Sequence, residues 1–135
     1  MARILLVDDY DPFRRAFSII LSDAGHSVVS VDDGDKAQEW LELSETGGDR
    51  VDLVITDNMM TRVCGPALLA WIREKFPDMP VILFSASSVT PNTDRTNLVE
   101  LCGELGATFI LKDANLIDEL LKTVDKILTK TAMRS

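Results

Sequence analysis

The chain has 135 residues, 46% of them hydrophobic and 27% charged, a balance that suits one compact domain with a real core. Its formal net charge of −8 argues against wrapping nucleic acid, which needs clustered Lys and Arg. No apolar run approaches the roughly 20 residues of a membrane span, and the N-terminus opens on a strand-like run instead of a signal peptide. Cys64 and Cys102 lack metal-ligand spacing and read as reduced thiols of a cytoplasmic protein. The single histidine, His26, excludes sites that need several.

Five short apolar runs recur, each followed by a helical pattern. The first, Ile4–Val7, leads into a helix for which Asp11 is the expected cap and Pro12 the first residue. Phe13, Phe17, Ile20 and Leu21 form its apolar stripe, and Gly25 ends it. Ser27–Val31, interrupted by serines, is the weakest strand and is placed at a sheet edge. A helix carrying Ala37, Trp40 and Leu41 follows and stops near Gly47-Gly48. Leu53–Thr56 precedes a helix that starts near Gly65-Pro66 and ends before Pro77. Val81–Phe84 precedes one that presents Leu98, Leu101, Cys102 and Leu105 and ends at Gly106. Thr108–Leu111 leads to a last helix capped by Asn115 and running to about residue 130, with a short polar tail over 131–135. The whole chain, 1–135, therefore reads as a single domain. Alternating strands and helices of this kind predict a parallel sheet with helices on both faces. In such folds, sites lie in the crevice at the C-terminal ends of the strands.

At those ends stand Asp8 and Asp9 after the first strand, Asp57 after the third, Ser85 and small Ala86 after the fourth, and Lys112 after the fifth. Asp32 and Asp33 end the second strand; if that strand is an edge, they read as a solvated turn away from the crevice. Three clustered carboxylates repel one another unless a cation joins them, and Mg²⁺ is satisfied by one or two carboxylates, a carbonyl and waters. One carboxylate can then act as nucleophile towards a phosphoryl group. Lys112 would neutralise a phosphoryl oxygen, and the Ser85 hydroxyl would donate to another.

This ordered set resembles the receiver domain of two-component response regulators. The resemblance covers nearly the whole chain and includes Gly65 eight residues after Asp57, Gly106-Ala107 before the last strand, and Phe109 three residues before Lys112. It implies a doubly wound, flavodoxin-like five-stranded sheet in the order 2-1-3-4-5. It also implies Mg²⁺ held by Asp8, Asp9, Asp57 and the main-chain carbonyl of Met59, with phosphorylation on Asp57. The donor would be a histidine kinase or histidine phosphotransfer protein. Ser85 and Phe109 would act as switch residues that alter the surface of the fourth helix, fifth strand and fifth helix. Output would pass to a downstream protein or through a homodimer. Such a domain catalyses only its own phosphorylation and dephosphorylation.

Three features depart from the family pattern. Thr61 and Asp113 stand where prolines are usual, and Asp113 places a negative charge beside Lys112. The stretch from Ser85 to Gly106 is longer than usual, with the excess assigned to residues 87–97. These departures keep open an alternative, a pseudo-receiver that binds protein partners without phosphorylation. A small-molecule aspartyl-phosphate hydrolase fits less well, because such enzymes want a second acid two residues after the nucleophile, where Met59 stands.

Overall fold

The computed structural model describes residues 2–48, 50–86 and 98–134, with residues 131–134 described by backbone alone. Strands β1 (Arg3–Val7), β2 (Ser27–Val31), β3 (Leu53–Asp57), β4 (Val81–Ser85) and β5 (Thr108–Leu111) alternate with helices α1 (Asp11–Asp23), α2 (Gly34–Glu45), α3 (Gly65–Lys75), α4 (Leu98–Glu104) and α5 (Leu116–Arg134). The strands form one parallel sheet in the order β2-β1-β3-β4-β5, as expected for a doubly wound, flavodoxin-like fold. Serine-interrupted β2 is indeed an edge strand.

Side chains alternate between the two faces of the sheet. Leu5, Val7, Val54 and Leu83 pack with Leu41 of α2, Leu68, Leu69 and Ile72 of α3, and Leu98 and Cys102 of α4. Ile4, Leu6, Ile55 and Phe84 face the other way, onto Phe17 and Leu21 of α1 and Leu120 and Val124 of α5. Strands β3 and β4 are buried at every position, because both faces are covered.

Three local expectations are corrected. Tyr10, not Asp11, is the residue at the α1 cap position, with extended backbone and no side-chain cap bond. Asp11 lies in the first turn and pairs with Arg14 instead. The last helix continues to Arg134 instead of ending near 130; residues 131–134 contain neither Gly nor Pro to stop it. Asp33 is not a solvated turn residue: it is 6% exposed and caps α2, its side chain accepting the Gly34 N–H. The expected excess at 87–97, with Ser87 in it, lies outside the described residues.

At the sheet edge opposite the strand-end acids, one side chain joins the segments entering β4 and β5. The Arg73 guanidinium, on α3, donates to the carbonyls of Phe76, Pro77 and Met79, which lead into β4, and of Leu105 and Gly106, which lead into β5. Gly106 has φ 67°, a left-handed conformation that glycine adopts without strain. The planar fork of Arg serves several acceptors at once, where a lysine is a point charge. Arg73→Met is therefore expected to cost about 2 kcal/mol of stability in urea titrations, with Arg73→Lys restoring only a minor part.

Candidate functional site

The chain delivers its acids by ending strands on them. The Asp8 N–H still pairs with the Val31 carbonyl of β2 at 3.1 Å, so Asp8 is locked to the sheet and its side chain is fully buried. One carboxylate oxygen of Asp8, Oδ1, accepts the Tyr10 N–H at 3.0 Å. The other, Oδ2, is buried with no hydrogen-bonding partner. Asp9 is exposed at the mouth of the crevice. Asp57, the last residue of β3, is 6% exposed; its Oδ1 accepts the Asn58 N–H at 2.8 Å and pairs with Lys112 Nζ at 3.2 Å. One carboxylate oxygen from each of Asp8, Asp9 and Asp57 lies within 4.8 Å of the others.

Burial and that proximity together disturb the ionisation of the two acids that follow β1. Burial, reinforced by the charges of Asp57 and Asp9, pushes the Asp8 carboxyl up to about 6, against the Tyr10 N–H and Lys112. Burial and then Asp57 also raise Asp9. A hard divalent cation with oxygen ligands supplies what this cluster lacks: positive charge, and a partner for the orphaned Oδ2 of Asp8. The donor set fits Mg²⁺.

Ser85 ends β4 at 4% exposure, and its carbonyl accepts the Lys112 N–H at 2.8 Å. Because Asp57 pairs with Phe84 in the sheet register, Ser85 stands one step beyond Asp57 on the adjacent strand. Phe109 is half-buried in β5 opposite Leu83 and packs against the α2–α4 side of the core, farther down the strand from the acids. Met59 lies two residues past Asp57 with its side chain 58% exposed. Asp113 does not compete for Lys112; its Oδ1 accepts the Asn115 N–H at 2.9 Å, turning the carboxylate towards the start of α5.

Three groups were not singled out as site residues from sequence. Besides capping α2, Asp33 accepts the Arg62 N–H at 2.9 Å and the Val63 N–H at 2.8 Å, which ties the β2–α2 turn to the loop after Asp57. Burial opposes its charge, but the N–H groups of Val63, Arg62 and Gly34 outweigh it and hold the carboxyl below its ordinary value. An Asp before a helix start signals the cap; nothing local signals the loop partners. Asn58 is buried, and its carbonyl takes the Gly65 N–H at 2.8 Å. A Cβ on Gly65 would meet the Asp57 carbonyl and approach the Asn58 Cα to 2.9 Å, so only glycine lets α3 start this close to the site. Arg14 donates to the Asp8 carbonyl at 2.8 Å, fixing α1 against the end of β1.

A doubly wound sheet with a strand-end acid cluster and a paired lysine defines a signalling module of the receiver type, not a typical enzyme. The family model for the response regulator receiver domain matches residues 4–125, and the chain belongs to that family. It is 36% identical over 124 residues to the two-component response regulator ARR3 of Arabidopsis thaliana, covering 85% of this chain and 51% of that protein. It is 34% identical over 120 residues to ORR1 of Oryza sativa subsp. japonica, covering 83% and 49%. The chain thus spans about half the length of these curated relatives. Among solved structures, Vibrio cholerae chemotaxis protein CheY4 superposes with TM-score 0.76 at 26% identity, covering 94% of this chain and 98% of that one. Response regulator TrrA of Thermotoga maritima, in complex with Mg²⁺-BeF, gives TM-score 0.75 at 28% identity, with 94% and 99% covered.

The raised Asp8 carboxyl fixes the sign of a pH effect in metal-free protein. Between 3.8 and about 6, folded Asp8 keeps a proton that the unfolded chain has released. Stability should therefore fall as pH rises through that window and level off above it. Asp8→Asn should flatten this dependence and stabilise the metal-free protein at neutral pH by on the order of 1–2 kcal/mol. Urea titrations in chelator across pH 4–8 read both effects; wild-type stability that rises over the window would contradict them.

Proposed function

We propose that the protein is a phosphorylation-controlled switch that accepts a phosphoryl group on Asp57, with Mg²⁺ held by Asp8, Asp9, Asp57 and the main-chain carbonyl of Met59. The reading rests above all on Asp57, nearly buried, within hydrogen-bonding reach of Lys112 and sharing its crevice with an Asp8 oxygen that has no partner. Bound Mg²⁺ would balance the carboxylates and the incoming phosphoryl oxygens. The donor is a phosphohistidine on a histidine kinase or phosphotransfer protein. A carboxylate oxygen of Asp57 attacks phosphorus, and the P–N bond breaks with its electron pair leaving on the imidazole. Lys112 then counters charge on one phosphoryl oxygen, and the Ser85 hydroxyl donates to another.

Drawing Ser85 towards the phosphoryl group would alter the room available to Phe109, coupling the site to the surface made by α4, β5 and α5. We assign output to a protein partner or a second copy docking there, with residues 1–135 acting as one cytoplasmic domain. Beyond its own phosphorylation and dephosphorylation the domain turns over no substrate. Against the pseudo-receiver alternative, the Asp113 carboxylate accepts the Asn115 N–H just before α5 and pairs with no lysine among the described residues.

Acetyl phosphate with Mg²⁺ should add one phosphoryl group to the intact protein, as read by mass spectrometry. Asp57→Asn, Asp8→Asn with Asp9→Asn, or chelation should abolish the gain, and Lys112→Ala should slow it by about tenfold or more. No gain under forcing conditions would favour the pseudo-receiver.

A further inference from the structure

Lys112 carries a flexible four-carbon chain and an ammonium that is strongly hydrated in water. It stands at the rim of a crevice with carboxylates on Asp8, Asp9 and Asp57 and with Asp113 as its chain neighbour. Charge attraction alone would let it wander among these acids. The ammonium instead rests on a second feature that has no charge. Lys112 Nζ lies 4.9 Å from the ring centroid of Phe13 and 4.9 Å from that of Phe84, while keeping 3.2 Å to Asp57 Oδ1.

The two rings reach this point from different elements. Phe84 is in β4, fully buried, immediately before Ser85; Phe13 is in the first turn of α1 and half-buried. Their centroids are 5.4 Å apart, and buried Phe17 packs beneath both, at 4.0 Å from Phe13 and 5.8 Å from Phe84. The trio is therefore braced from below. Ring faces carry partial negative charge that attracts a cation without competing for its hydrogen bonds. A lysine so seated keeps its N–H donors for Asp57.

We propose that Phe13 and Phe84 form an aromatic seat that positions Lys112 against Asp57. The seat is a positioning device: neither ring touches the reacting atoms, and both act through the lysine. Its role in phosphorylation rests on the phosphoacceptor reading of Asp57, whereas the seat itself is a property of the resting protein. Phe13 is the discriminating position, because Phe84 is also deep core. Phe13→Leu keeps an apolar side chain on α1 but removes the π face, and Phe13→Tyr keeps the face.

The full chain with ¹³C-labelled lysine tests this in two ways. In NMR spectra the Lys112 ε-methylene protons should lie upfield of those of the other lysines. Phe13→Leu should move them back and Phe13→Tyr should not. With acetyl phosphate and Mg²⁺, Phe13→Leu should slow phosphorylation about three- to tenfold at unchanged Mg²⁺ affinity, and should add nothing in a Lys112→Ala background. Equal slowing with and without Lys112, or a Lys112 signal indifferent to Phe13, would overturn the proposal. If wild type takes up no phosphoryl group while the upfield signal and its loss in Phe13→Leu persist, the phosphoacceptor reading fails and the seat stands. Should Phe13→Leu not fold, the wild-type Lys112 signal, assigned by its loss in Lys112→Arg, still decides: ε-methylene protons at the shift of the other lysines would overturn the proposal.

Discussion

Electrostatic repulsion among Asp8, Asp9 and Asp57 is the constraint around which the rest of the site is arranged. Folding forces their oxygens within 4.8 Å of one another, two of the three side chains nearly or fully out of water. Burial first, and then the charges of Asp57 and Asp9, push the Asp8 carboxyl up, so that such a cluster left alone favours taking up a proton. Lys112 offsets part of the repulsion from the β5 side through Asp57. It does not reach the Asp8 oxygen that remains without a partner. The fold thus holds a site that is uncomfortable in its resting form and improved by a cation. In the proposed switch, that property would favour reversible binding of metal and phosphoryl group over resting in a neutralised state.

Holding like charges together requires a stiff frame, and the sheet order provides it. β1 and β3 are adjacent inner strands, so Asp8 and Asp57 cannot move apart without breaking the parallel pairing between them. Phe84 and Ser85 follow on β4, and Lys112 closes the row after β5. Helix starts are brought equally close. Gly65 lets α3 approach the Asp57 carbonyl, and Arg14 fastens α1 to the Asp8 carbonyl. Far below, Arg73 ties together the segments entering β4 and β5.

The inner strands were readable in the sequence because they are covered on both faces and so appear as apolar runs, whereas serine-interrupted β2 gave the weakest signal. All five runs match observed strands to within a residue at either end. Where they differ at the C-terminal ends, the reason is physical: Asp57 and Ser85 are polar, so an apolarity argument stops before them, yet both belong to the last positions of their strands. The acids, Ser85 and Lys112 could be singled out from sequence because each stands at or just beyond the end of an apolar run. Asp33 was misread because its two loop partners lie 29 and 30 residues away. The aromatic seat escaped notice for a similar reason. Phe13 and Phe84 read as core residues of separate elements, and only the folded chain shows a lysine resting on them.

The two departures that replace prolines can now be weighed by what stands in their place. Proline stiffens a loop by restricting backbone freedom in both folded and unfolded chain. With Thr61 in the loop after Asp57, that stiffness has another source: Asp33 binds two successive N–H groups just beyond it, and Arg62 adds an exposed ion pair to Asp35 at 3.1 Å. The two part-buried bonds to Asp33 carry this, since an exposed pair contributes little. After β5, Asp113 accepts the Asn115 N–H, and its carbonyl accepts the Leu116 N–H at 3.1 Å, so the turn into α5 is set by hydrogen bonds instead of a ring. A carboxylate occupied in this way is directed towards the helix N-terminus, where its charge is stabilised. Lys112 is left to Asp57 and to its two aromatic rings. The departure that places a negative charge beside Lys112 in sequence is thus one whose folded geometry turns that charge towards α5.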